Sequence, residues 1–278
     1  MEREFIFVND RLLPAHEAQV SVNDRGFLYG DGFFETMRAE AGRVLFLTEH
    51  LARLEASCRQ FQIKLPPEIP WTDQIQQLLA QNNLNARLAM VKILVTRGQA
   101  VGLGLPASDH PTTVIFARPY EPPAAAEYRQ GWPVVTFPES RASFLGRHKS
   151  LNYLFCLAAR QYALDRGGRE ALILEPDGTI SEGAATGLLF AETGSYFIPQ
   201  TASGLPSVTV AMVKRALTRR QIPVTAVPTT VERLDQAQGV WLANSLMGLL
   251  PVASLDGRDL TRSQQTVFLN QCLWSEAG

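Results

Sequence analysis

The sequence predicts an α+β fold in two domains, a small N-terminal α/β domain at 1–118 and a larger domain at 127–278. Three observations support this prediction. Strand-like and helix-like segments alternate along the chain, the segment 119–126 is rich in proline and alanine, and 46% of the 278 residues are hydrophobic. Prolines remove backbone donors and favour extended conformations, so 119–126 is predicted to be a linker. A chain of this length and apolar content can form two hydrophobic cores.

The first domain is predicted to begin with a β-hairpin. Glu4–Val8 and Arg11–Leu13 are joined by Asn9-Asp10, two residues that tolerate the positive φ of a tight turn. A helix is predicted to begin at Thr48, with Thr48 as the capping residue and Glu49 in the first turn. Its apolar stripe consists of Leu51, Leu54, Cys58 and Phe61. The remaining predicted elements are a helix at 73–84 and strands at 87–96 and 112–117.

The second domain is predicted to contain a hairpin of Ala171–Glu175 and Thr179–Ser181 around the turn Pro176-Asp177-Gly178. The run Gly239–Leu255 is typical of strands and is interrupted by the small polar pair Asn244-Ser245. Other strands are predicted at 134–137, 188–191 and 196–198, and helices at 151–166, 208–220 and 262–273.

Charge and cysteine usage exclude several classes of protein. Lysine and arginine number 26 against 27 acidic residues, and the basic residues are dispersed, so no nucleic-acid or membrane-surface partner is expected. The three cysteines are far apart, which argues against a disulfide framework and against a thiolate metal site. The charged N-terminus is unlike a secretory signal, and no apolar run approaches the roughly 20 residues of a membrane helix. The sequence therefore predicts a cytoplasmic protein.

Four side chains in separate segments suggest a common chemistry. Lys149 precedes a predicted helix, and such a lysine is by itself typical of a solvated surface. Glu182 follows a predicted strand, Arg53 lies on the first long helix, and Ser245 interrupts a strand near the C-terminus. An amine, a carboxylate, a guanidinium and a loop hydroxyl together match the needs of a phosphorylated aldehyde cofactor.

Five segments carry a resemblance to a known family. They are Asp24–Thr36, Glu49–Leu54, His148–Tyr153, Ser181–Gly183 and Asn244–Val252. In this order and at about this spacing they resemble the class IV aminotransferases, the fold-type IV enzymes that use pyridoxal 5′-phosphate (PLP). The resemblance implies the two-domain fold of the D-amino acid aminotransferases, PLP as the cofactor, and a homodimer. Each segment alone is weak evidence, whereas five in order are specific.

The resemblance also implies roles for individual residues. Lys149 is similar to the lysine that holds PLP as a Schiff base and shuttles protons at the substrate. Glu182 is similar to the partner of the pyridine nitrogen, and Arg53 to the phosphate-binding arginine. The other phosphate ligands that the resemblance implies are Val208, Thr209 and Ser245. Thr209 as an ordinary helix cap and Ser245 as an ordinary turn residue are the alternatives.

Substrate-facing positions favour an aminodeoxychorismate lyase within this family. Phe34 stands where D-amino acid aminotransferases carry a tyrosine, and no Arg-x-His pair follows Thr96-Arg97-Gly98. Asn244–Val252 resembles the lyase version of its segment, whereas branched-chain aminotransferases have Gly-Thr-Ala there. However, many of these lyases have an arginine where this chain has Gly102 or Leu103. The residues predicted to line the substrate pocket are Phe34, Thr36, Leu246 and Met247, although Thr36 and Met247 also suit core packing.

The predicted reaction converts 4-amino-4-deoxychorismate, a small-molecule substrate, to 4-aminobenzoate and pyruvate in folate biosynthesis. Branched-chain and D-amino acid aminotransferases remain alternatives, because the same cofactor site serves both chemistries. A non-catalytic relative that binds PLP or a partner protein is a further alternative.

Overall fold

A computed structural model describes residues 4–66 and 69–277. Contacts divide the chain into two compact units. Unit 1 contains the described residues up to Glu121 together with Lys149–Asn152, and unit 2 contains Pro122–His148 and the described residues from Tyr153 onward. The predicted division placed Lys149–Asn152 in the second domain, whereas the contacts group this segment with unit 1.

Unit 1 is built on one antiparallel sheet. Its strands are β1 (Phe5–Val8), β2 (Arg11–Pro14), β3 (Gly32–Glu40), β4 (Arg43–Val44), β5 (Ala89–Thr96) and β6 (Thr112–Pro119). They lie in the order β2-β1-β6-β5-β3-β4. The helices are α1 (Arg25–Tyr29), α2 (Leu47–Gln60) and α3 (Trp71–Gln81). The β1–β2 pairing confirms the predicted hairpin, and Asn9 in its turn has φ 56°.

Alternating side chains direct one face of this sheet towards α2 and α3. On β5, Val91, Ile93 and Val95 are buried in the same core as Leu54 of α2 and Leu78 of α3. The intervening β5 side chains lie on the opposite face because successive residues of a strand alternate. The sheet therefore has a packed face and a second face that carries the polar side chains described below.

The first long helix differs from the prediction at its start. Helix α2 begins at Leu47, and its capping position is Phe46, with φ 57° and no side-chain cap hydrogen bond. The prediction of Thr48 as the cap is therefore wrong. Phe46 is buried, so packing at this corner takes the place of polar capping. Helix α3 begins two residues earlier than predicted, directly after Pro70, where a missing N–H is tolerated.

Unit 2 contains nine strands and five α-helices among its described residues. The strands are β7 (Trp132–Thr136), β8 (Glu170–Leu174), β9 (Ile180–Gly183), β10 (Gly187–Glu192), β11 (Ser195–Pro199), β12 (Val224–Val227), β13 (Gly239–Asn244), β14 (Gly248–Leu255) and β15 (Arg258–Asp259). The helices are α4 (Ala125–Gln130), α5 (Leu154–Leu164), α6 (Val208–Arg219), α7 (Val231–Asp235) and α8 (Thr266–Ser275). The strand order is β12-β11-β10-β13-β14-β7-β8-β9, with β15 paired to β14.

Two predicted features of unit 2 are confirmed. Strands β8 and β9 form the predicted antiparallel hairpin, and Gly178 in its turn has φ 83°. Strands β13 and β14 pair around residues 244–247, where the sequence predicted an interrupted strand. Glu182 lies on the second strand of the first hairpin, and Ser245 lies in the turn of the second.

Three boundaries in and beside unit 2 differ from the predictions. The predicted linker 119–126 ends inside α4, which begins at Ala125, and Glu127 accepts the Ala124 N–H at 2.9 Å. Helix α5 begins at Leu154 rather than 151, because the residues before it pair with β3. Helix α8 begins at Thr266 rather than 262. Among the described residues, no helix combines the length and the hydropathy needed to cross a membrane.

Candidate active site

Lys149 is held beside β3 by its neighbours' backbone. The N–H of Phe34 donates to the carbonyl of Lys149 at 2.9 Å, and the N–H of Leu151 donates to the carbonyl of Gly32 at 3.0 Å. Phe33 and Ser150 form an isolated antiparallel bridge between these two bonds. The Nζ atom of Lys149 lies 4.6 Å from the centre of the Phe34 ring. The structure therefore brings together two of the residues that the sequence predicted for the site.

The two glycines of the Gly30-Asp31-Gly32 motif are required because neighbouring segments approach the backbone closely at both positions. Gly30 has φ 66°, and a Cβ there would lie 2.9 Å from the Asn152 side chain. A Cβ on Gly32 would lie 2.3 Å from the carbonyl oxygen of Val95. Asn152 also donates to the carbonyl of Gly30 at 3.0 Å. The motif thus allows the Lys149 segment and β5 to approach β3 closely.

Asp31 is the centre of an ion-pair cluster in unit 1. Its carboxylate accepts hydrogen bonds from Arg25 at 2.8 Å and from Arg97 at 2.7 Å. Burial acts to raise the pKa of Asp31, but hydrogen bonds from Arg97 and then Arg25 outweigh it, and the pKa is lowered. Arg25 also donates to the carbonyls of Gly102 and Gly104, at 2.7 and 2.9 Å. The cluster fixes the loop after β5 to the start of β3.

Lys92 is a second lysine beside the Phe34 ring, and no sequence motif pointed to it. Its Nζ lies 4.4 Å from the centre of the Phe34 ring, and Lys92 is opposite Thr36 in the β3–β5 register. Burial lowers the pKa of Lys92. Phe34, Thr36, Lys92 and Lys149 therefore provide an aromatic wall, a hydroxyl and two amines within unit 1. The sequence pattern placed Lys92 within the predicted strand at 87–96 and gave it no role.

Arg53 is oriented by a buried carboxylate. Glu35 accepts hydrogen bonds from Arg53 Nε at 2.7 Å and Nη2 at 2.6 Å, and it is 2.7 Å from His50 Nδ1. Burial acts to raise the pKa of Glu35, yet hydrogen bonds from His50 and Arg53 lower it overall. Because a planar guanidinium forms two parallel bonds to a carboxylate, Glu35 sets the direction of the Arg53 side chain. Sequence reasoning missed both Glu35 and His50 as supports.

Glu182 lies on β9 in unit 2 and is held by two donors. Arg141 Nη2 forms a short hydrogen bond to Glu182 Oε1, and the N–H of Leu205 donates to Oε2 at 3.2 Å. Burial acts to lower the pKa of Arg141, but the Glu182 carboxylate outweighs this effect and the pKa is raised. The Glu182 carboxylate therefore stabilises the charged form of Arg141. Arg141 was missed because it lies in a loop 41 residues before its partner.

A second carboxylate fixes the loop that supplies the Leu205 N–H. Glu175 accepts from the N–H and from the hydroxyl of Ser203, at 3.0 and 2.6 Å, and also from Thr201. Burial acts to raise the pKa of Glu175, but the Ser203 and Thr201 hydrogen bonds lower it overall. The Ser203 hydroxyl is also 3.0 Å from the Arg141 carbonyl. Glu175 thus holds the loop that supplies the Leu205 N–H, and Ser203 lies between this loop and the segment that carries Arg141.

The start of α6 supplies the groups predicted for phosphate binding. Ser207 is the capping residue, and its hydroxyl accepts the Val210 N–H at 3.3 Å. The alternative of Thr209 as an ordinary helix cap is therefore wrong. Val208 and Thr209 lie in the first helical turn, where N–H groups and the helix dipole favour an anion. The Thr209 hydroxyl is 3.5 Å from the Ser245 hydroxyl.

The turn between β13 and β14 is closed by one side chain. Asn244 Oδ1 accepts the N–H groups of Leu246 and Met247, at 3.1 and 2.9 Å. Tyr128 of α4 donates its hydroxyl proton to the carbonyl of Met247 at 2.6 Å. Leu246 and Met247 therefore belong to one fixed turn that also carries Ser245. The Met247 side chain is 3% exposed and packs in the core of unit 2, so it anchors the turn to that core.

Comparisons with known proteins identify the family. The sequence model described as "Amino-transferase class IV" matches residues 32–255. A Methanocaldococcus jannaschii protein, provisionally named a branched-chain-amino-acid aminotransferase, is 31% identical over 93% of this chain and 90% of its own length. D-alanine aminotransferase of Staphylococcus haemolyticus is 29% identical over 92% of this chain and 90% of its own. The chain belongs to the class IV aminotransferase family.

The fold agrees with this membership. The structure of a Legionella pneumophila protein, provisionally named 4-amino-4-deoxychorismate lyase, superimposes with a TM-score of 0.85. It is 24% identical and covers 95% of this chain and 97% of its own. The predicted α+β fold of the fold-type IV PLP enzymes is therefore confirmed.

Membership in this family indicates PLP as the cofactor, and the residues of the chain fit that molecule. Unit 1 offers a lysine amine for the aldehyde and a guanidinium for the phosphate. Unit 2 offers a hydrogen-bonded carboxylate for the pyridine nitrogen, and a helix N-terminus with two hydroxyls for the phosphate. When bound, PLP supplies an electron sink for the carbon attached to the substrate nitrogen. The chain is therefore a PLP enzyme of the aminotransferase or lyase type.

Proposed function

We propose that this protein is an aminodeoxychorismate lyase, which converts 4-amino-4-deoxychorismate to 4-aminobenzoate and pyruvate, a step that supplies folate biosynthesis. Lys149 binds PLP covalently in the resting enzyme, Glu182 holds the pyridine nitrogen, and Arg53 binds the phosphate. The further phosphate ligands are Val208, Thr209 and Ser245. The residues that line the substrate pocket are Phe34, Thr36 and Leu246, while Met247, predicted as a fourth, packs in the core of unit 2 and supports the turn that carries Leu246.

The observation that carries the proposal is the closed turn after β13. The N–H groups of Leu246 and Met247 are already bound by Asn244. A transaminase must hold the α-carboxylate of two different substrates, and backbone N–H groups in such a turn are well suited to that task. In this chain a carboxylate would have to displace the Asn244 side chain. The turn therefore favours a substrate whose carboxylate groups are bound by residues outside this turn.

The polar face of unit 1 provides such recognition. Aminodeoxychorismate carries two carboxylates, one on the ring and one on the enolpyruvyl group. The Nζ atoms of Lys92 and Lys149 both lie close to the Phe34 ring, and Thr36 is opposite Lys92 in the β3–β5 register. A partly buried ammonium group binds a carboxylate more strongly than an exposed one because water screens it less. We therefore assign a substrate carboxylate to Lys92 and Thr36.

The chain's residues then perform three tasks. Lys149 removes the proton from the ring carbon that bears the amino group, and its protonated amine returns a proton to the departing pyruvate. Arg141 holds the Glu182 side chain by a hydrogen bond between charged groups and directs it at the pyridine nitrogen. Phe34 covers the lysine amines with an apolar surface that excludes water. The products contain all the atoms of the substrate, so no second substrate is required.

The test is a product assay with purified holoenzyme. Incubation with 4-amino-4-deoxychorismate is expected to release 4-aminobenzoate and pyruvate in equal amounts without 2-oxoglutarate. The Lys149→Ala variant serves as the matched inactive control. Turnover of L-leucine or D-alanine with 2-oxoglutarate, and none of aminodeoxychorismate, would contradict the proposal and establish an aminotransferase.

The second candidate function is an aminotransferase, because the curated relatives reported above carry branched-chain and D-alanine aminotransferase names. Phe34 in place of tyrosine argues against the D-amino acid activity. The closed turn at Asn244 argues against both aminotransferase activities. Measuring all three reactions on one preparation separates these candidates.

We also propose that the enzyme is a cytoplasmic homodimer. The loop after β5 exposes 97% of Val101 and 89% of Leu103, while Arg25 binds the carbonyls on either side of Leu103. A fixed and exposed apolar loop of this kind supports association with a second copy. The three cysteines are reduced and buried, which supports the cytoplasm. Light scattering of the purified protein is expected to give twice the chain mass of 30.7 kDa.

A further inference from the structure

Glu170 is a buried carboxylate of unit 2 that takes no part in the reaction proposed above. It is the first residue of β8, and its side chain is 0% exposed. Its Oε1 accepts the N–H of Ala171 at 2.9 Å, and its Oε2 accepts the N–H of Ala185 at 3.3 Å. Arg160 of α5 forms an ion pair with Oε2 at 3.2 Å. All three partners are donors, so each of them favours the ionised carboxylate.

The carboxylate of Glu170 is bonded to the short connection between β9 and β10. The N–H of Ala185 in this connection donates to Oε2, and the N–H of Ala184 donates to the carbonyl of Ala171 at 2.9 Å. Two successive residues of the connection are therefore attached to β8, one through the main chain and one through a carboxylate. Glu182 lies on β9 directly before these residues, so they fix the end of the strand that carries it.

The turn that ends β9 has little room to adjust. The N–H of Gly183 donates to the carbonyl of Thr186 at 2.8 Å. A Cβ on Gly183 would lie 2.1 Å from the Thr186 hydroxyl and 3.3 Å from Cγ of Glu170. Tyr153, at the start of α5, donates its hydroxyl proton to the carbonyl of Ala184 at 3.1 Å. Glu170 therefore forms one side of a tight turn, and a shift of its carboxylate would displace the end of β9.

Glu170 carries a charge that the fold alone does not require. Burial raises the pKa of Glu170, and the ion pair with Arg160 and the N–H of Ala171 offset this effect only in part. A raised pKa means that folding disfavours the ionised form of this carboxyl group. An uncharged side chain of similar size would serve packing as well. The two N–H groups and the guanidinium, by contrast, need a group that only accepts hydrogen bonds, and an ionised carboxylate is such a group.

We propose that Glu170 is a positioning residue for Glu182. Its carboxylate fixes the turn at the end of β9 and thereby holds the backbone of Glu182 where the side chain meets the pyridine nitrogen of PLP. This role rests on the proposed contact between Glu182 and that nitrogen. Arg141 and the N–H of Leu205 hold the Glu182 side chain, whereas Glu170 acts on the main chain beside it.

The test is a double-mutant cycle on the affinity for PLP, measured from the release of PLP when the full-length holoenzyme is diluted. Glu170→Gln keeps the size of the side chain but leaves one acceptor oxygen for two N–H groups. The dissociation constant of PLP is expected to rise about fivefold, which corresponds to one net hydrogen bond. In the Glu182→Gln background the same change should have little effect, because the group that Glu170 positions is already altered.

Glu192→Gln is the matched control. Glu192 is the last residue of β10, at the end away from the connection, and it binds Arg233 at 2.9 Å. This variant also loses an ion pair of unit 2, yet it should bind PLP as the wild type does. Equal losses of PLP affinity in Glu192→Gln and Glu170→Gln would show a general effect of lost ion pairs and would overturn the proposal.

Arg160→Met provides a second cycle that does not depend on a change in the core. The Arg160 side chain is 32% exposed, and its removal is expected to weaken PLP binding about threefold, again only when Glu182 is present. Wild-type affinity in Glu170→Gln, or additive effects in either cycle, would show that Glu170 does not act through Glu182. Wild-type affinity in the single variant Glu182→Gln would instead remove Glu182 from the proposed function.

Discussion

The backbone carbonyl of Lys149 accepts the N–H of Phe34 at 2.9 Å, and the Lys149 amine lies 4.6 Å from the centre of the Phe34 ring. One residue of β3 therefore fixes the backbone of the lysine and also forms a wall beside its side chain. Because the hydrogen bond to Phe34 uses the backbone of Lys149, a substitution can remove the lysine side chain without removing the bond that positions the residue.

The Lys149→Ala variant is expected to fold and to lose the visible absorbance of the lysine-linked cofactor. Its backbone bonds to β3 do not involve the side chain, so its far-ultraviolet circular dichroism should match the wild type. In the proposed mechanism Lys149 both binds the cofactor and moves the proton, so the proposed lyase activity should fall by about 1,000-fold or more. An unchanged visible spectrum in this variant would remove Lys149 from the assignment.

Lys92→Met is the matched variant on the other lysine of the Phe34 ring. It keeps the length of the side chain but removes the charge, so KM for aminodeoxychorismate is expected to rise about tenfold. The visible spectrum should remain that of the wild type, because Lys92 is not the cofactor lysine. If KM were unchanged, the substrate carboxylate would have to bind elsewhere.

Arg141→Met tests the support of Glu182. Without the guanidinium, Glu182 is oriented only by the Leu205 N–H among the contacts described above. We expect affinity for PLP to fall about tenfold, since hydrogen bonds between charged groups are among the stronger ones. The Arg141→Lys variant, which keeps the charge but loses the fork, should be intermediate. Equal PLP affinity in all three proteins would show that Arg141 has no part in holding the cofactor.

Stability at acid pH depends on Glu35. Its folded-state pKa lies below the ordinary value of about 4.5, so the unfolded chain binds the proton more readily. This contribution to the free energy of unfolding is complete above pH 4.5 and is lost as the pH falls through the lower folded pKa. Glu35→Gln should therefore flatten the decline of stability at acid pH, while lowering stability at pH 7 by about 3 kcal/mol because Arg53 and His50 lose their partner. Urea unfolding at pH 3, 5 and 7 measures both effects. A constant difference in stability between the two proteins at all three pH values would exclude the pH effect, and equal stability at pH 7 would exclude the loss of about 3 kcal/mol.

Gly32→Ala tests the close approach of β3 and β5. A methyl group there would lie 2.3 Å from the Val95 carbonyl oxygen, so we expect a loss of about 2 kcal/mol of stability. Gly178→Ala is the control, because Gly178 also needs its backbone freedom, at φ 83°, yet has open space around it. Its expected cost is only about 1 kcal/mol. Thermal unfolding that ranks the two variants in the opposite order would contradict this reading of the motif.

Local sequence patterns predicted the hairpins and most helices. They failed where contacts between residues far apart in the sequence determine the structure. The β8–β9 hairpin has its turn signal within the segment itself, so it was predictable. Strand β3 was not predicted, because its partner β5 lies about 60 residues further on, with Gly32 opposite Thr96. Helix α2 was given a polar cap because the sequence shows Thr48, whereas packing of Phe46 determines the actual start.

In the candidate site, too, residues within local motifs were predicted, whereas their partners in distant segments were not. Lys149, Glu182 and Arg53 were predicted through family motifs, which record residue identities in short segments. Their supports Arg141 and Glu35 lie in other segments and were not singled out. A sequence pattern does not show which distant carboxylate an arginine will meet, and that pairing determines how each predicted residue is oriented.

Strand β3 also limits how this enzyme can change during evolution. Its odd-numbered residue Glu35 points towards α2, and its even-numbered residues Phe34 and Thr36 face the lysines. Because side chains alternate along a strand, an insertion or deletion of one residue in β3 would exchange its two faces. Phe34 and Thr36 would then turn into the core, and Glu35, which orients Arg53, would turn away from α2. If Phe34 and Thr36 line the substrate pocket as proposed, substrate preference can change by replacement of these two side chains, whereas the length of β3 must stay constant.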